Sequence, residues 1–246
     1  MIREIPEVEF HQRIEQIQKK LIENNYDAYL VHSNEADHAS VRYLSDHWPI
    51  FETAGVIIPK EGEPILLIGP EAEPFAIQRS KIKKIRKLLA YRESAEPDYP
   101  DIQVSNFQDI FDEVSNGKGI KRLALGDYAI LPMPVYEGVK EALGPKGEMI
   151  RAEWIISNMR AIKSENEIAM MKEAHRISEL ALEDLLKEMK VGMTEKEAMG
   201  ILYHAMYKHG AECEAFPNYI FGGKQTQNAI ARATYKKIEP GQMIQL

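Results

Sequence analysis

Disulfide bonds are excluded at the outset, because the 246 residues contain a single cysteine, Cys213. One thiol closes no internal bridge, so a reducing, cytoplasmic setting is expected. Cys213 is also a poor nucleophile, since Glu212 and Glu214 flank it and their charge disfavours the thiolate. The first ten residues, "MIREIPEVEF", lack the basic-then-apolar pattern of a secretory leader. No apolar run approaches the ~20 residues needed to cross a bilayer, and no membrane partner is expected. Cationic excess is missing as well: 31 Lys and Arg stand against 38 Asp and Glu, for a net charge of −7. That balance argues against a broad face for nucleic-acid phosphates, and no nucleic-acid partner is expected. The one basic cluster, "KIKKIRK" at 81–87, reads as the solvated border of a strand.

Familiar catalytic signatures are absent too. There is no His-Glu-x-x-His, Gly-x-Ser-x-Gly, Cys-x-x-Cys or glycine-rich phosphate loop. His204 and His209 are five residues apart on a predicted helix, about 140° around its axis, and cannot chelate one ion together. His32, His38 and His47 are close in sequence, with Glu35 and Asp37 between the first two, but the spacing matches no established metal-ligand pattern. Turn and cap chemistry accounts for Ser33, Asn34 and Asp37, while His47 and Trp48 could line a cleft. By spacing alone, these residues identify no reaction.

What is present is a foldable soluble composition, 44% hydrophobic and 28% charged. Up to about residue 150, helical and extended patterns alternate. An amphipathic helix with Phe10, Ile14, Ile17 and Leu21 on one face leads into the strand "DAYLV". "HASVRYL" is helical, and "GVIIP" and "EPILLIG" form a hairpin across "KEGE". Helix is then expected at 75–83, strand at "IRKLLAY", helix at "NFQDIFDEVSN", strand at "RLALGD" and helix at "PMPVYEGVKEAL". Strands separated by helices imply an α/β domain with a mixed or mainly parallel sheet, assigned to 1–152.

A second domain is assigned to 153–246, with "EWIISNMRAIKSENE" as the bridge. Ser164 with Glu167 and Thr194 with Glu197 have capping-box spacing and should start two helices. On the first, Ile168, Met171, His175, Ser178, Leu182, Leu185 and Met189 share a face and are expected to form one buried stripe. His209, before Gly210, complements the dipole at the second helix's end. "NYIF" reads as a strand, and "IEPGQMIQL" as a Pro-Gly turn followed by another. That last strand needs pairing partners, so it is either a sheet edge or part of a sheet that continues after residue 246.

"MRAIKSENEIAMMKEA", "HGAECEAFP", Gly222-Gly223 and "KKIEPGQMIQL" together resemble the start of the pita-bread fold of aminopeptidase P, prolidase and creatinase. Arg160, Lys163, Glu167 and Ile168 carry the most specific pattern, and residues 1–152, with "VRYLSDH", are similar to the family's amino-terminal domain. The resemblance implies a creatinase-type α/β amino-terminal domain, with a mixed sheet and helices, plus the beginning of an α+β pita-bread domain. It further implies an Xaa-Pro peptidase with two divalent metal ions (Mn, Co or Zn) whose first ligand would follow Leu246. No metal ligand and no catalytic residue is then expected in this chain. A small peptide or small-molecule substrate and a homodimer are also implied. In such dimers the amino-terminal domain reaches toward the partner's active site, which makes His47 and Trp48 candidate substrate contacts beside Phe216 and Tyr219. Trp48 could equally be a core or dimer-interface aromatic.

Two positions depart from the family pattern. An ungapped match places Ala229-Ile230 where the family has Pro-His, and Gln242 where it has a turn aspartate. The missing loop histidine keeps two alternatives open, a metal-free creatinase-like hydrolase and an inactive homologue used for binding.

Overall fold

The computed structural model describes residues 4–246, which divide into two units, Ile5–Ile162 and Lys163–Leu246. In chain order the first contains α1 (Glu7–Glu23), β1 (Ala28–Ser33), α2 (Ala39–Ser45), β2 (Ala54–Pro59), β3 (Ile65–Ile68) and α3 (Glu73–Arg79). There follow β4 (Ile85–Lys87), α4 (Phe107–Ser115), β5 (Arg122–Leu125), α5 (Met133–Leu143), β6 (Glu148–Arg151) and α6 (Glu153–Ala161). The strands form one sheet in the order β4-β3-β2-β1-β5-β6. β1–β2 and β2–β3 are antiparallel and the other neighbours parallel, so the sheet is mixed.

Helices on both faces explain the unbroken apolar strands. Ile14, Ile17, Val41, Leu44, Ile155 and Ile156 pack on the face carrying Tyr29, Val31 and Val56. Phe107, Ile110, Phe111, Val135 and Val139 cover Leu30, Ile57, Leu67 and Leu123 on the other. Both sides of β1, β2 and β3 are therefore buried, and alternation with polar residues would be unfavourable there.

The basic cluster lies at the β4 edge. Lys84 and Arg86 both pair with Glu113 and Lys87 pairs with Glu73. The Arg86 guanidinium donates to the Ile85 carbonyl, and the Ser105 N–H donates to that of Lys87. These contacts occupy an edge that would otherwise invite another strand.

Four elements differ from expectation. The helix expected at 75–83 runs over Glu73–Arg79, and the strand at "IRKLLAY" is only Ile85–Lys87, followed by a 3-10 turn, Leu89–Tyr91. β6 was not foreseen, being four residues long and only half-buried. α6, read as a bridge, buries Ile155 and Ile156 against α1 and the sheet, and the Tyr29 hydroxyl donates to the Ala152 carbonyl. The first unit consequently extends to Ile162.

The second unit contains α7 (Glu165–Glu188), α8 (Glu195–Lys208), β7 (Phe221–Gly222) and β8 (Ile244–Gln245). Both capping boxes form, each side chain accepting the N3 amide while the N3 carboxylate receives the cap amide. The expected buried stripe on α7 is corrected: its buried residues are Ile177, Ala181 and Leu185, while Met171, His175, Ser178 and Leu182 are exposed. Leu185 belongs to both sets, but Ala198 of α8, Ile220 and Ile238 pack around it and select the narrower line. Helical spacing alone cannot choose between overlapping faces. β8 finds its partner in β7, after a turn in which Gly241 has φ +75°. Gln242 closes that turn with its own amide, accepting from the Glu239 N–H and donating to the Glu239 carboxylate. A turn-stabilising role at this position therefore needs no aspartate.

Candidate functional site

In the first unit the candidate loop begins where α2 ends. Asp46 adopts the left-handed conformation at φ +61°, which turns the chain out of the helix, and its N–H still reaches the Arg42 carbonyl. The Ser45 hydroxyl donates to Val41 O and accepts the His47 N–H, holding the next residue inward. His47 is fully buried and packs on Phe75 with ring centroids 5.4 Å apart. Burial pushes its pKa down to about 4, so the ring is neutral at pH 7.

Trp48 is half-buried and meets Phe75 edge-on at 5.6 Å. Two guanidinium groups, those of Arg42 and Arg79, lie 4.1 and 4.9 Å from its ring centroid. Arg79 also donates to the Asp46 carbonyl and carboxylate, tying α3 to the loop.

The outward surface belongs to other residues of the same loop, Ser45 to Glu52, which the sequence marks as a segment for substrate contact with His47 and Trp48 as its candidates. Ile50 is 61% exposed and Phe51 is 55% exposed, whereas Glu52 beside them is buried. Its Oε2 accepts both the Ile50 and Phe51 N–H groups, at 3.1 and 3.0 Å, and so fixes the apolar tip. The signal in the sequence was two large apolar residues next to an acid, "IFE". Glu52→Ala is expected to accelerate hydrogen exchange of the Ile50 and Phe51 amides by ~10–100-fold, the equivalent of one or two lost hydrogen bonds. Glu52→Gln, which keeps an acceptor, should fall between; unchanged exchange in the alanine variant would remove this role from Glu52.

The other two candidates lie in the second unit. Phe216 is exposed, while Tyr219 is half-buried and stacked on Phe221 with centroids 5.2 Å apart and ring planes at 27°. Ile230 is exposed in the polar loop. His209 holds Asp184 at 2.9 Å together with Lys208, and these two partners bring the Asp184 pKa down to about 2. His209 thus has a side-chain partner besides its place at the end of α8. Glu195 was missed because it reads as an ordinary first-turn acid after Thr194. It is buried, and its carboxylate accepts from the Gly222 N–H, the Thr234 N–H and the Thr234 hydroxyl.

Among the described residues no group of three or more His, Cys, Asp or Glu is placed to hold a metal ion. The described residues therefore do not by themselves fit a dinuclear centre. Nor is any described helix long and apolar enough to cross a membrane. A cavity of about 620 Å³ between the Leu89–Tyr91 turn, α4 and α5 has Glu141 as its only ionisable lining residue. That lining assigns it no chemistry.

Comparison with known proteins adds the decisive observation. Residues 13–162 match the creatinase/prolidase N-terminal domain, and residues 169–246 match metallopeptidase family M24. The chain belongs to the creatinase/prolidase family. It is 30% identical to an Xaa-Pro dipeptidase of Pyrococcus horikoshii over 92% of its own length and 57% of the relative's. An Xaa-Pro dipeptidase of Pyrococcus furiosus is 25% identical over 95% of the chain and 59% of the relative. The crystal structure of an X-Pro aminopeptidase from Thermotoga maritima superposes with a TM-score of 0.75 at 25% identity, covering 94% of this chain and 59% of that one. The chain thus spans rather more than half the length of the curated relatives it matches. In this creatinase/prolidase family member, the mixed sheet with its helices is the N-terminal domain, and α7 onward is the start of the M24 domain.

Proposed function

We propose that the chain supplies the N-terminal domain and first catalytic-domain segment of an Xaa-Pro peptidase acting on short proline-containing peptides. The observation that carries this reading is the ordered pair of family matches, supported by 30% identity to an Xaa-Pro dipeptidase along 92% of the chain. A dinuclear centre of Mn, Co or Zn would take its ligands from residues following Leu246. Bound there, such ions would supply Lewis-acid chemistry for amide hydrolysis.

The contribution of this chain is binding surface. The Trp48 to Phe51 loop offers an aromatic face and a fixed apolar tip, suited to the ring of proline and its neighbour side chain. His47, inside the loop, supports Trp48 through Phe75 rather than facing solvent. In a homodimer this loop would reach the partner's site, while Phe216 and Tyr219 would serve their own.

Exposed, apolar Ile230, at the position where an ungapped match puts the family's loop histidine, favours a second reading: a homologue that binds peptides without cleaving them. The full-length protein, loaded in turn with Mn²⁺, Co²⁺ or Zn²⁺, should cleave an Xaa-Pro dipeptide ~100-fold faster than its Xaa-Ala counterpart. Peptide binding with no turnover under any metal would establish the second reading instead. Metal-independent hydrolysis of a small C–N substrate would move the protein to the creatinase type.

A further inference from the structure

The first unit contains a cluster of buried polar atoms that neither the loop nor the fold uses. His32 is 1% exposed and Tyr91 is fully buried, yet both imidazole nitrogens and the phenol oxygen lack a hydrogen-bond partner within the protein. The Thr53 hydroxyl, also buried, lacks one as well.

Sheet register and ring packing bring His32 and Tyr91 together at Gly55. His32, near the carboxyl end of β1, lies opposite Gly55 of β2. Thr53 lies two residues before Gly55 in the sequence, immediately ahead of β2. Tyr91 extends its hydroxyl over Gly55, where any Cβ would collide with it. The His32 and Tyr91 rings are stacked with centroids 5.8 Å apart and planes at 29°, an arrangement that leaves their polar atoms unbonded to each other.

We propose that His32, Thr53 and Tyr91 form an internal hydration site that holds one or two water molecules against the carboxyl end of β1. Each group has both donor and acceptor capacity: a neutral imidazole has one of each, and the two hydroxyls rotate to suit. Burial lowers the His32 pKa to about 4 and raises that of Tyr91, so all three are neutral at pH 7 and match a neutral ligand. Water is the smallest molecule that satisfies such a set, and buried polar groups left without partners are rare in folded proteins. His47 provides the internal contrast. Its nitrogens are also unpaired, but the ring packed against it is that of Phe75, which has no polar atom to share a water.

The sign of a single substitution separates a wet nest from a dry one. Tyr91→Phe removes a hydroxyl that shares a water with His32, so the thermal midpoint of the 246-residue chain should fall by several degrees. In a dry nest the same change deletes an unsatisfied group, and the midpoint should stay or rise. In a cycle with His32→Phe, the double variant's unfolding constant should differ from the product of the single effects by roughly tenfold. Additive effects would overturn the proposal. Should the variants fail to fold, NMR of the unmodified chain decides: the His32 ring proton should show an exchange-independent dipolar cross-peak to a long-lived water. Absence of that cross-peak, with the ring proton itself observed, would count against hydration.

Discussion

Glu195→Ala is expected to lower the stability of the Lys163–Leu246 unit by about 3–5 kcal/mol, in the range seen when a buried charge loses its hydrogen-bonded network. The carboxylate is buried, with Oε1 3.0 Å from Gly222 N and Oε2 2.8 and 2.7 Å from Thr234 N and Oγ1. It therefore joins the start of α8 to β7 and to the loop that returns toward β8. Without it, two amides and a hydroxyl are left without an acceptor. Burial alone would raise the Glu195 pKa, but the donors from Thr234 and Gly222 outweigh it and bring the value below the usual glutamate range. The carboxylate's contribution is thus present above the ordinary glutamate pKa and lost as pH falls through the lowered folded value.

Both tryptophans, Trp48 and Trp154, belong to the first unit, so tryptophan fluorescence does not report on this change. Amide exchange of α8 and β7 does. Glu195→Gln keeps one acceptor oxygen and should retain part of the stability. An alanine variant within 1 kcal/mol of the parent, at the low end of what a single hydrogen bond contributes, would show that the clamp is redundant.

The second large effect is acid destabilisation of the first unit well above the carboxylate range. His32 and His47 each titrate near 4 in the folded state because burial penalises the charged ring, against 6.5 for an ordinary histidine. The unfolded chain binds more protons between those values. Stability is therefore complete above pH 6.5, falls as pH drops through the window, and stops falling below about 4. At pH 5 the loss is on the order of 2 kcal/mol per histidine. Asp127 works in the opposite sense: burial raises its pKa, so its protonation in acid favours the folded state. Urea unfolding followed by tryptophan fluorescence at pH 7.5 and pH 5 measures the difference. His47→Phe should remove about half of the histidine contribution, its ring taking the same place beside Phe75. A pH-independent midpoint for the parent chain over that interval would refute both assignments.

Local chemistry explains why much of the fold was legible. Ser164 with Glu167 and Thr194 with Glu197 form their capping boxes within four residues of chain, so no distant partner is needed to specify them. The β1, β2 and β3 runs are apolar on both faces, which identifies interior strands before any pairing is known. β6 carried no comparable mark. "EMIR" is short and half-exposed, and it becomes a strand by pairing with β5. Among the candidate residues, the Trp48 loop was identifiable from its aromatic and charged composition. The inward turn of His47 and the exposure of Ile50 and Phe51 depended on Ser45, Phe75 and Glu52 acting together.

By itself the sequence determined the α/β character of the first unit and the starts of α7 and α8, and it carried the resemblance to the family that the matches over 13–162 and 169–246 establish. Each of these rests on neighbours a few residues apart or on side-chain type alone. Tertiary structure decided which line of α7 is buried, that Glu195 clamps two distant backbone amides, and that His32 and Tyr91 stack, buried, beside Gly55. Those outcomes required contacts between residues 13 to 59 positions apart, and burial is set by what covers a side chain, which periodicity within one element cannot specify.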